Sequence, residues 1–509
     1  MIELDWNRPA LPPFAHQRDG VKALIKLPNA FLAYDVGAGK TKTVIDAAHF
    51  CYEACLVDTV VVLAPAAARS VWIDPDPVLG EVAKHAWPDV RNVVHEFHSK
   101  TKRVDLGPGL NWLVSNYEFV RSEDRMKELK RLLKGRRYWL VGDESWMIAG
   151  HKSLQTAAFS ELAALAVKRI VLNGTPGGPG EVFSQLHAMD PAILGFKNYW
   201  QFRGRHAVMG GWKQKNVVKW KNLDEFAEKT ARVVFRVSTR DAVDLPRRLP
   251  PVLIEARLRP ETWGAYAEMK EKLVAWLEGE EAATAKNAGV KAVRLAQIAA
   301  GFVGGVQTFE AFDAEELDDY EAPMGPVLAG VETREIGREK LDSTIAYLER
   351  WWANEPAPRK ALVSGRFRAE IERAQRELQA AFPKAKVYKL YGNQGEDERT
   401  EIKRMFAPGG EPDDAIMVVH PAAGGAGLNF SAANLLLRMS PDHSLKNFLQ
   451  LDGRIERPGQ SRPMTFVDVV AVGPNGQKTV DHIAVSGLRK KEDVSRLTAK
   501  EWKRRLEQQ

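Results

Sequence analysis

Apolar residues in this chain fall into short continuous runs, each followed by a stretch in which they recur with helical spacing. A short apolar run bounded by polar or glycine-rich turns predicts a buried strand, and the spacing after it predicts an amphipathic helix. Strands alternating with helices are typical of a parallel α/β sheet, whose working loops follow the C-terminal ends of the strands. The first group of predicted strands is Ala30–Tyr34, Thr59–Ala64, Asn111–Ser115, Tyr138–Gly142 and Arg169–Asn173. The second group is Lys360–Ser364, Lys386–Leu390, Ala415–His420, Leu435–Met439 and Thr465–Val472.

The two groups are separated by a region without this rhythm. Residues 200–250 are basic and irregular and end in a proline cluster typical of a linker, residues 260–300 have helical spacing, and residues 301–338 are glycine-rich and then acidic. A chain of 509 residues is also too long for one core. We therefore predict two parallel-sheet lobes with an insertion between them. The expected ranges are 1–245 for the N-terminal lobe, 246–345 for the linker and helical insertion, 346–486 for the C-terminal lobe and 487–509 for a basic C-terminal helix.

Composition narrows the class of protein only slightly. The net charge of +7 is a mild basic excess, which is compatible with a polyanionic partner without requiring one. Cys51 and Cys55 are too few for a structural zinc site and are expected to pack a helix in a reducing compartment. Glu3, Asp5 and Arg8 interrupt the start of the chain, so we expect no signal peptide there, and no apolar run reaches membrane-spanning length. We expect a cytoplasmic protein, of bacterial or viral type, without a membrane partner.

A phosphate-binding loop is predicted after the first strand. Segment 37–41 reads Gly37-Ala38-Gly39-Lys40-Thr41 and precedes a predicted helix over Lys42–Phe50. Glycines let backbone N–H groups turn toward phosphate oxygens, and the start of a helix adds partial positive charge. Lys40 would reach the β- and γ-phosphates, and the Thr41 hydroxyl would ligate Mg²⁺. The strict pattern has glycine where this chain has Tyr34, so a chance glycine turn is the alternative.

Two carboxylates follow the predicted strand Tyr138–Gly142. Asp143 would hold Mg²⁺ through water, and Glu144 would polarise the attacking water. Taken by themselves, two acids after a strand are more typical of a solvated turn. A phosphate-binding loop upstream makes the catalytic interpretation the stronger one.

Two arginines near the other end of the chain complete the candidate chemistry. Arg454 and Arg457 are three residues apart, which predicts that both lie on one side of a helix. Arginine stays charged and offers a planar fork to phosphate oxygens, although a solvated helix face is the ordinary alternative. A phosphate cradle in one lobe and paired arginines in the other indicate two lobes that close on one nucleotide. Gln17, ahead of the loop, has an amide that donates and accepts at once, which suits an adenine edge.

The order of these motifs resembles a superfamily-two helicase and, more narrowly, the Swi/Snf-like ATPases, which are double-stranded DNA translocases related to chromatin remodellers. The resemblance extends from about Phe14 to Gln460 and is continuous over His420–Gln460. The other matching pieces are Leu63–Trp72, Ser115–Glu118, Gly174–Pro176, Leu186-His187 with Asp190-Pro191, Arg294 with Gln297-Ile298, and Gly392 with Glu398-Arg399.

The resemblance implies an α/β fold of two RecA-like P-loop lobes, ATP and Mg²⁺ as cofactors, and double-stranded DNA, including forked or branched forms, as partner. The implied catalytic residues are Lys40, Glu144, Arg454 and Arg457. The implied nucleotide-binding residues are Gln17, Gly37, Ala38, Gly39, Lys40, Thr41, Thr43, Asp143 and Gly427, with Thr41 and Asp143 at the metal. The implied nucleic-acid contacts are Pro65, Trp72, Ser115, Asn116, Tyr117, Ser364, Arg366, Gly424 and Gly425. Thr175 and Trp146 are implied to couple hydrolysis to movement.

Three departures from the family pattern leave every catalytic group in place. Ser145-Trp146 replaces glycine-histidine after the two acids, the segment 177–179 replaces a polar pair, and Glu456 replaces a histidine between the arginines. Indole has one N–H donor and no acceptor, so we expect Trp146 to couple by packing and not by a polar relay. The alternative is that Trp146 simply fills core space beside the strand.

These inferences predict a DNA-stimulated ATPase that steps along duplex DNA as its two lobes close and reopen, with one chain as the motor unit. A strand-separating or fork- and branch-remodelling helicase is the alternative within the same class. An alternative from a different class is a nucleotide-gated clamp that holds DNA without productive turnover. The presence of Lys40, Glu144, Arg454 and Arg457 favours turnover over the clamp.

Overall fold

The chain divides into two compact units. The computed structural model describes residues 2–66, 68–99, 101, 104–210, 216–279, 285–303, 333–391, 396–422, 428–490, 504–505 and 507–508. The first unit comprises Met1–Asp244, and the second begins at Leu245. No helix among these residues has the length and apolar character that crossing a membrane requires.

Within its described residues, the first unit is built on one seven-stranded parallel sheet. The strands of this unit are β1 (Asn29–Tyr34), β2 (Thr59–Ala64), β3 (Asn92–Glu96), β4 (Leu110–Asn116), β5 (Tyr138–Asp143), β6 (Lys168–Leu172), β7 (Ala207–Gly210), β8 (Asn216–Trp220) and β9 (Val234–Val237). The sheet order is β3-β4-β2-β5-β6-β1-β9, and β7 and β8 form a separate antiparallel hairpin. The carboxyl ends of β1, β6 and β5, where the candidate motifs lie, are therefore neighbours.

Helices alternate with these strands. They are α1 (Ala15–Lys26), α2 (Lys40–Glu53), α3 (Arg69–Ile73), α4 (Glu81–His85), α5 (Glu123–Leu133), α6 (Leu154–Ala163), α7 (Pro179–Met189), α8 (Tyr199–His206), α9 (Leu223–Ala231) and α10 (Thr239–Ala242). Short 3₁₀ turns follow β4 at Phe119–Arg121 and β5 at Ser145–Ile148.

Burial explains which strands the sequence predicts. Every residue of β1 and β2 is buried, and sheets covered on both faces read as continuous apolar runs. Both of these strands, like β4, β5 and β6, lie within one or two residues of their predicted ranges. The edge strands β3 and β9 are only partly buried, so they lack such runs and the apolar pattern does not predict them.

The second unit contains a six-stranded parallel sheet among its described residues. The strands of this unit are β10 (Val252–Arg257), β11 (Phe302–Val303), β12 (Arg334–Glu335), β13 (Lys360–Ser364), β14 (Lys386–Leu390), β15 (Ala415–Val419), β16 (Leu435–Arg438) and β17 (Thr465–Val472). The sheet order is β10-β17-β16-β13-β15-β14, and β11 pairs antiparallel with β12. The helices are α11 (Pro260–Gly279), α12 (Ala285–Ala299), α13 (Glu339–Asn354), α14 (Arg368–Ala381), α15 (Glu396–Phe406), α16 (Leu445–Ile455) and α17 (Val480–Arg489).

The segment expected as a linker and insertion belongs in part to this second sheet. β10 pairs with β17, and its side chains alternate, with Val252, Ile254 and Ala256 packed on the core and Leu253 exposed. An edge strand with one covered face has no continuous apolar run, and the proline cluster before it resembles a linker. Tyr266 of α11, the buried described residues of α12 and Val480 of α17 pack together in a separate core cluster. Most of the expected basic helix over 487–509 lies outside the described residues.

Candidate active site

The predicted phosphate-binding loop joins β1 to α2. Gly39 caps α2 with a left-handed backbone (φ +79°), and the Thr43 hydroxyl donates to the Gly39 carbonyl at 3.0 Å. The Lys40 ammonium donates to the carbonyls of Tyr34 at 2.9 Å and Asp35 at 3.2 Å, so it folds back over the loop. The first N–H groups of α2 and the Lys40 charge thus lie at one end of β1, which is the chemistry that phosphate binding requires.

The tyrosine that departs from the strict loop pattern has its own place in the core. The Tyr34 side chain is buried, and burial raises the pKa of Tyr34 to about 12. Gly20 of α1 makes room for it, because a Cβ at Gly20 would lie 2.3 Å from the Tyr34 hydroxyl oxygen. The turn itself is made at Gly37, which has a φ of +89°. Tyr34 therefore replaces a glycine without changing the loop's backbone requirement.

Gln17 lies directly against this loop. Its Oε1 accepts from the Phe14 N–H at 3.0 Å, and its Nε2 donates to the Ala38 carbonyl at 3.5 Å. Gly39 has a φ of +79°, where a side chain is strained, and a Cβ there would also lie 2.1 Å from Gln17 Nε2, so the position favours glycine. His16 Nε2 also contacts the Ala38 carbonyl, at 2.8 Å. Adenine reading by Gln17 stays a prediction, but α1 and the loop are joined by its amide.

The other side of the loop is supported by residues that no sequence motif singles out. The Asp35 carboxylate accepts from the Thr239 N–H at 3.3 Å, and the Thr239 hydroxyl donates to the Val36 carbonyl at 3.1 Å. Thr239 begins α10, directly after the edge strand β9. The region with a basic and irregular sequence therefore completes the loop's support.

Asp143 is held at the end of β5 by neutral donors. Trp72 Nε1 donates to its Oδ2 at 2.9 Å, and the Glu144 N–H reaches its Oδ1 at 3.0 Å. Tyr117 donates from its hydroxyl to the Asp143 carbonyl at 2.9 Å. Burial, and then the charge of Glu144, raise the pKa of Asp143 to about 6, while Trp72 and the charge of Lys40 lower it. The charge of Lys40 thus acts on the acid that ends β5.

Glu144 occupies a strained backbone position. Its φ of +49° is left-handed, which is uncommon for a residue with a Cβ and is typical of functional turns. The Trp146 indole donates to Glu144 Oε2 at 3.1 Å. This contact adds a polar partner to the packing expected of Trp146, whose coupling role stays a prediction. The Trp146 side chain is only partly buried, which also argues against the core-filling alternative.

Four of the expected nucleic-acid contacts have buried side chains, and their contact with DNA stays a prediction. Trp72, Ser115, Tyr117 and Ser364 are all buried, so their side chains offer no surface to a DNA strand in this structure. Trp72 and Tyr117 instead hold Asp143, and the Ser115 hydroxyl donates to the Phe97 carbonyl at 2.7 Å. Their positions after parallel strands are typical of working loops, although the side chains point into the core.

The other expected nucleic-acid contacts also stay predictions. Pro65, Asn116 and Arg366 are partly exposed, and Asn116 Oδ1 accepts from the Phe119 N–H at 2.8 Å. Gly424 and Gly425, together with the nucleotide-site residue Gly427, lie outside the described residues.

A hydrogen-bonded relay joins the acid loop to the loop after β6. The Ser145 hydroxyl donates to Gln185 Oε1 at 2.6 Å, and Asn173 Nδ2 donates to the same oxygen at 3.2 Å. Asn173 Oδ1 in turn accepts from the Thr175 N–H at 2.9 Å. A Cβ at Gly174 would lie 3.5 Å from Lys40 Nζ, so this loop also adjoins the phosphate-binding loop. Gln185, on α7, is a linking residue that no sequence pattern identified.

The two candidate arginines of the second unit converge on one carbonyl. Arg454 Nη1 and Arg457 Nη1 donate to the Leu428 oxygen at 3.0 and 2.7 Å. Because α16 ends at Ile455, Arg457 lies beyond the helix, and the expectation that both share one helix face is wrong. The turn after the helix brings the two guanidinium groups together instead. Arg454 is buried, whereas Arg457 is partly exposed.

Beneath these arginines, opposite charges compensate one another. Asp468 accepts from Arg438 at 3.0 Å and from Arg489 at 2.9 Å. Asp452, on α16, pairs with Arg438 and accepts from Arg248 at 2.8 Å. The network ties β16, β17 and α16 together, and it therefore fixes the helix that ends at the arginine pair.

The residues expected at Mg²⁺ suit that ion. Among the described residues, no group of three or more His, Cys, Asp or Glu side chains is arranged to hold a metal. Mg²⁺ typically uses one or two carboxylates together with water and substrate phosphates, so a richer protein cage is not needed. Asp143, whose carboxylate is penalised by burial and by Glu144, would gain from a nearby cation. Thr41 in the first turn of α2 would supply the hydroxyl.

Comparison with known proteins shows one matching family and one similar curated protein. Residues 339–459 match the family described as helicase conserved C-terminal domain. The SWI/SNF-related matrix-associated actin-dependent regulator of chromatin subfamily A-like protein 1 homolog of Caenorhabditis elegans is 26% identical over 197 residues, which are 38% of this chain and 26% of that protein. The chain therefore spans about a quarter of the length of this curated relative.

Two solved structures from Sulfolobus solfataricus are also similar. The SWI2/SNF2 ATPase core in complex with dsDNA is 19% identical, with a TM-score of 0.42 over 92% of this chain and 90% of that one. The SWI2/SNF2 ATPase core domain is 18% identical, with a TM-score of 0.41 over 96% of each chain. The fold assignment rests on the two parallel sheets of this chain.

The helicase C-terminal domain over residues 339–459 and the similarity to a SWI/SNF-related protein agree with the resemblance to the Swi/Snf-like ATPases of helicase superfamily two. The resemblance predicted from the sequence is thus confirmed. The two parallel sheets confirm the predicted pair of RecA-like lobes.

Proposed function

We propose that this chain is a DNA-dependent ATPase that translocates on double-stranded DNA by ATP-driven opening and closing of its two RecA-like units. The observation that carries the proposal is that three loops meet at the carboxyl ends of neighbouring strands in the first sheet. Lys40 follows β1, Gly174 follows β6, and Asp143 ends β5 with Glu144 directly after it. A phosphate-binding lysine, a metal-binding acid and a candidate base on adjacent strand ends are the minimum set for hydrolysis of a nucleoside triphosphate.

Each side chain of the first unit has a role in this proposal. Lys40 and the first N–H groups of α2 bind the terminal phosphates. Glu144, oriented by the Trp146 indole, accepts a proton from the attacking water. Asp143 and Thr41 would hold Mg²⁺, which when bound supplies positive charge to the phosphates. The Ser145–Gln185–Asn173 relay would transmit a change at the acids to Thr175.

The second unit would supply the arginines. A guanidinium is worth most where charge develops on the transferred phosphoryl group, so Arg454 and Arg457 would act only when the units close. Hydrolysis would then release the closed state, and alternation between the two states would move the units along the duplex. The helicase C-terminal domain over 339–459, which includes both arginines, supports this division of labour.

ATP hydrolysis with and without duplex DNA tests the proposal. We expect duplex to stimulate turnover of the wild-type protein, and movement to be seen as displacement of a third strand from a triplex. Glu144→Gln should keep ATP binding and lose turnover by about 10²–10⁴-fold, because an amide keeps the shape but is not a base. Glu161→Gln, which changes a surface carboxylate paired with Lys130, is the matched control.

Turnover by Glu144→Gln close to that of the control would remove Glu144 from the mechanism. ATP and DNA binding without turnover in the wild-type protein would favour the nucleotide-gated clamp. Stimulated turnover without triplex displacement would leave an ATPase that does not translocate.

A further inference from the structure

Helix α8 presents a tryptophan away from the core. Its inward face is formed by Tyr199, Phe202 and His206, of which Phe202 and His206 are fully buried against an aromatic cluster. Trp200 is 49% exposed although tryptophan is highly buried on average. The helical pattern therefore places a large aromatic face on the surface of the first unit.

Two cations flank this exposed ring. The Arg203 guanidinium lies 4.3 Å from the ring centroid of Trp200, and the Lys152 ammonium lies 5.3 Å from it. Within the described part of the chain, neither cation forms an ion pair with a carboxylate, in contrast to Arg205, which pairs with Glu225 at 2.7 Å. The ring and the two positive charges thus form one patch whose charge is not compensated by these acids.

The patch lies on elements that stack against one another and adjoin the loops that carry the candidate catalytic residues. His151 stacks on Tyr199 with ring centroids 4.0 Å apart, which fixes the segment that carries Lys152 to α8. Phe202 stacks on Phe183 of α7 at 4.5 Å, so α8 is anchored to the helix that carries Gln185. His151 also follows the turn Ser145–Ile148 after the catalytic acids.

We propose that Lys152, Trp200 and Arg203 form a platform that binds an unpaired strand of nucleic acid. An aromatic face flanked by cations matches a single strand, because each exposed base can stack and each adjacent phosphate can pair with a cation. A duplex offers phosphates but keeps its base faces stacked inside. The inference rests on the proposed function, since it gives the motor a contact for the strand exposed at a fork or branch.

Binding of labelled oligothymidylate, oligouridylate and blunt duplex, followed by fluorescence anisotropy on the full chain, tests the platform. We expect Trp200→Ala to weaken binding of the single strands by about tenfold or more, since stacking on an aromatic side chain contributes about 1–3 kcal/mol per base. Duplex affinity should stay within about twofold. Trp200→Phe should recover part of the loss because it retains a stacking face.

Lys152→Ala and Arg203→Ala should each reduce the dependence of single-strand affinity on salt, by about 0.7 in the log–log slope for each phosphate that the variant no longer neutralises. Leu165→Ala and Lys134→Ala, which change exposed residues elsewhere on the same unit, are the matched controls. Far-ultraviolet circular dichroism establishes that each variant is folded. A difference between the two oligonucleotides decides between DNA and RNA as the strand preferred by the platform.

Failure to bind either single strand, or an equal loss of single-strand and duplex binding in Trp200→Ala, would overturn the platform. So would unchanged binding in that variant, which would favour a protein partner for this surface. These outcomes are separate from the proposed function, which is tested by duplex-stimulated hydrolysis and Glu144→Gln. Stimulated hydrolysis with no effect of Trp200 would leave the motor and remove the platform.

Discussion

Two aspartates, one in each unit, are held in opposite ways. Asp143 ends β5 and accepts from the Trp72 indole and a backbone N–H, both neutral, and its pKa is raised to about 6. Asp468 lies within β17 between the guanidinium groups of Arg438 and Arg489. The charge of a carboxylate between two guanidinium groups is already compensated within the fold. A carboxylate held by neutral donors retains an electrostatic penalty that a bound cation can relieve, which is the condition expected of a metal ligand.

The arginines of the second unit also differ in the acceptors that hold them. Arg438 is surrounded by Asp452 and Asp468, and it joins elements of the core. Arg454 and Arg457 are both oriented by the Leu428 carbonyl, a neutral acceptor. Arg438 therefore holds the sheet together, whereas a role of Arg454 and Arg457 in the chemistry stays a prediction.

The largest expected effect is on turnover. We predict that Arg457→Ala slows ATP hydrolysis by about 10³-fold or more while nucleotide affinity is kept, because an arginine finger acts on transition-state charge. Arg457 is partly exposed, so the variant should unfold near the wild-type temperature. Single-turnover hydrolysis and nucleotide binding measure the two quantities.

Arg454→Ala is the companion variant. Since Arg454 is buried, its loss should lower both turnover and stability, in contrast to Arg457→Ala. Equal stability losses in the two variants, with turnover unchanged, would assign both arginines to the fold and would break the distinction.

The next effect is on stability. Asp468→Asn should destabilise the second unit by about 3 kcal/mol or more, because it leaves guanidinium charge uncompensated in the core. Asp143→Asn should instead stabilise the first unit by about 1–2 kcal/mol at neutral pH without Mg²⁺ or nucleotide. The raised pKa of Asp143 alone corresponds to about 3 kcal/mol, and the amide loses one accepted hydrogen bond.

The sign of the pH dependence follows from the direction of the shift. A carboxyl with a pKa raised from 3.8 to about 6 favours the folded state only when protonated, and that contribution is lost as pH rises through about 6. The gain from Asp143→Asn should therefore shrink as the pH falls from about 7 toward 4. Urea unfolding of each unit across this range measures it, and a gain that grows in acid would contradict the assigned pKa shift.

The smallest effect concerns the donor that holds Asp143. Trp72→Phe keeps most of the ring and removes the N–H that lowers the pKa of Asp143, so the acid limb of the ATPase pH profile should move up by about one pH unit. Trp112→Phe is the matched control, since Trp112 is equally buried and donates to Asn92 at 2.8 Å. An identical pH profile for both variants would show that Trp72 acts only through packing.

The central strands and the positions of the main site residues could be predicted from the sequence alone. Continuous apolar runs such as Thr59–Ala64 identify strands covered on both faces, and the same side of the sheet then receives Lys40, Asp143 and Glu144. Edge strands such as Val252–Arg257 could not be predicted in this way, because one covered face leaves no continuous run. The resemblance identified the residue types of the site but not what holds them.

The sequence by itself therefore determined which charged groups are present and which strand ends carry them. The period of the apolar residues marks the strands, and local glycine geometry marks the turns that follow them. Only the tertiary structure decided that Trp72 and Tyr117 turn inward to hold Asp143 and that Trp146 orients Glu144. It also decided that Arg454 and Arg457 meet through a turn at the Leu428 carbonyl. These contacts join residues that are distant in sequence or that a single turn brings together. The direction in which each side chain points depends on how the packed elements share space.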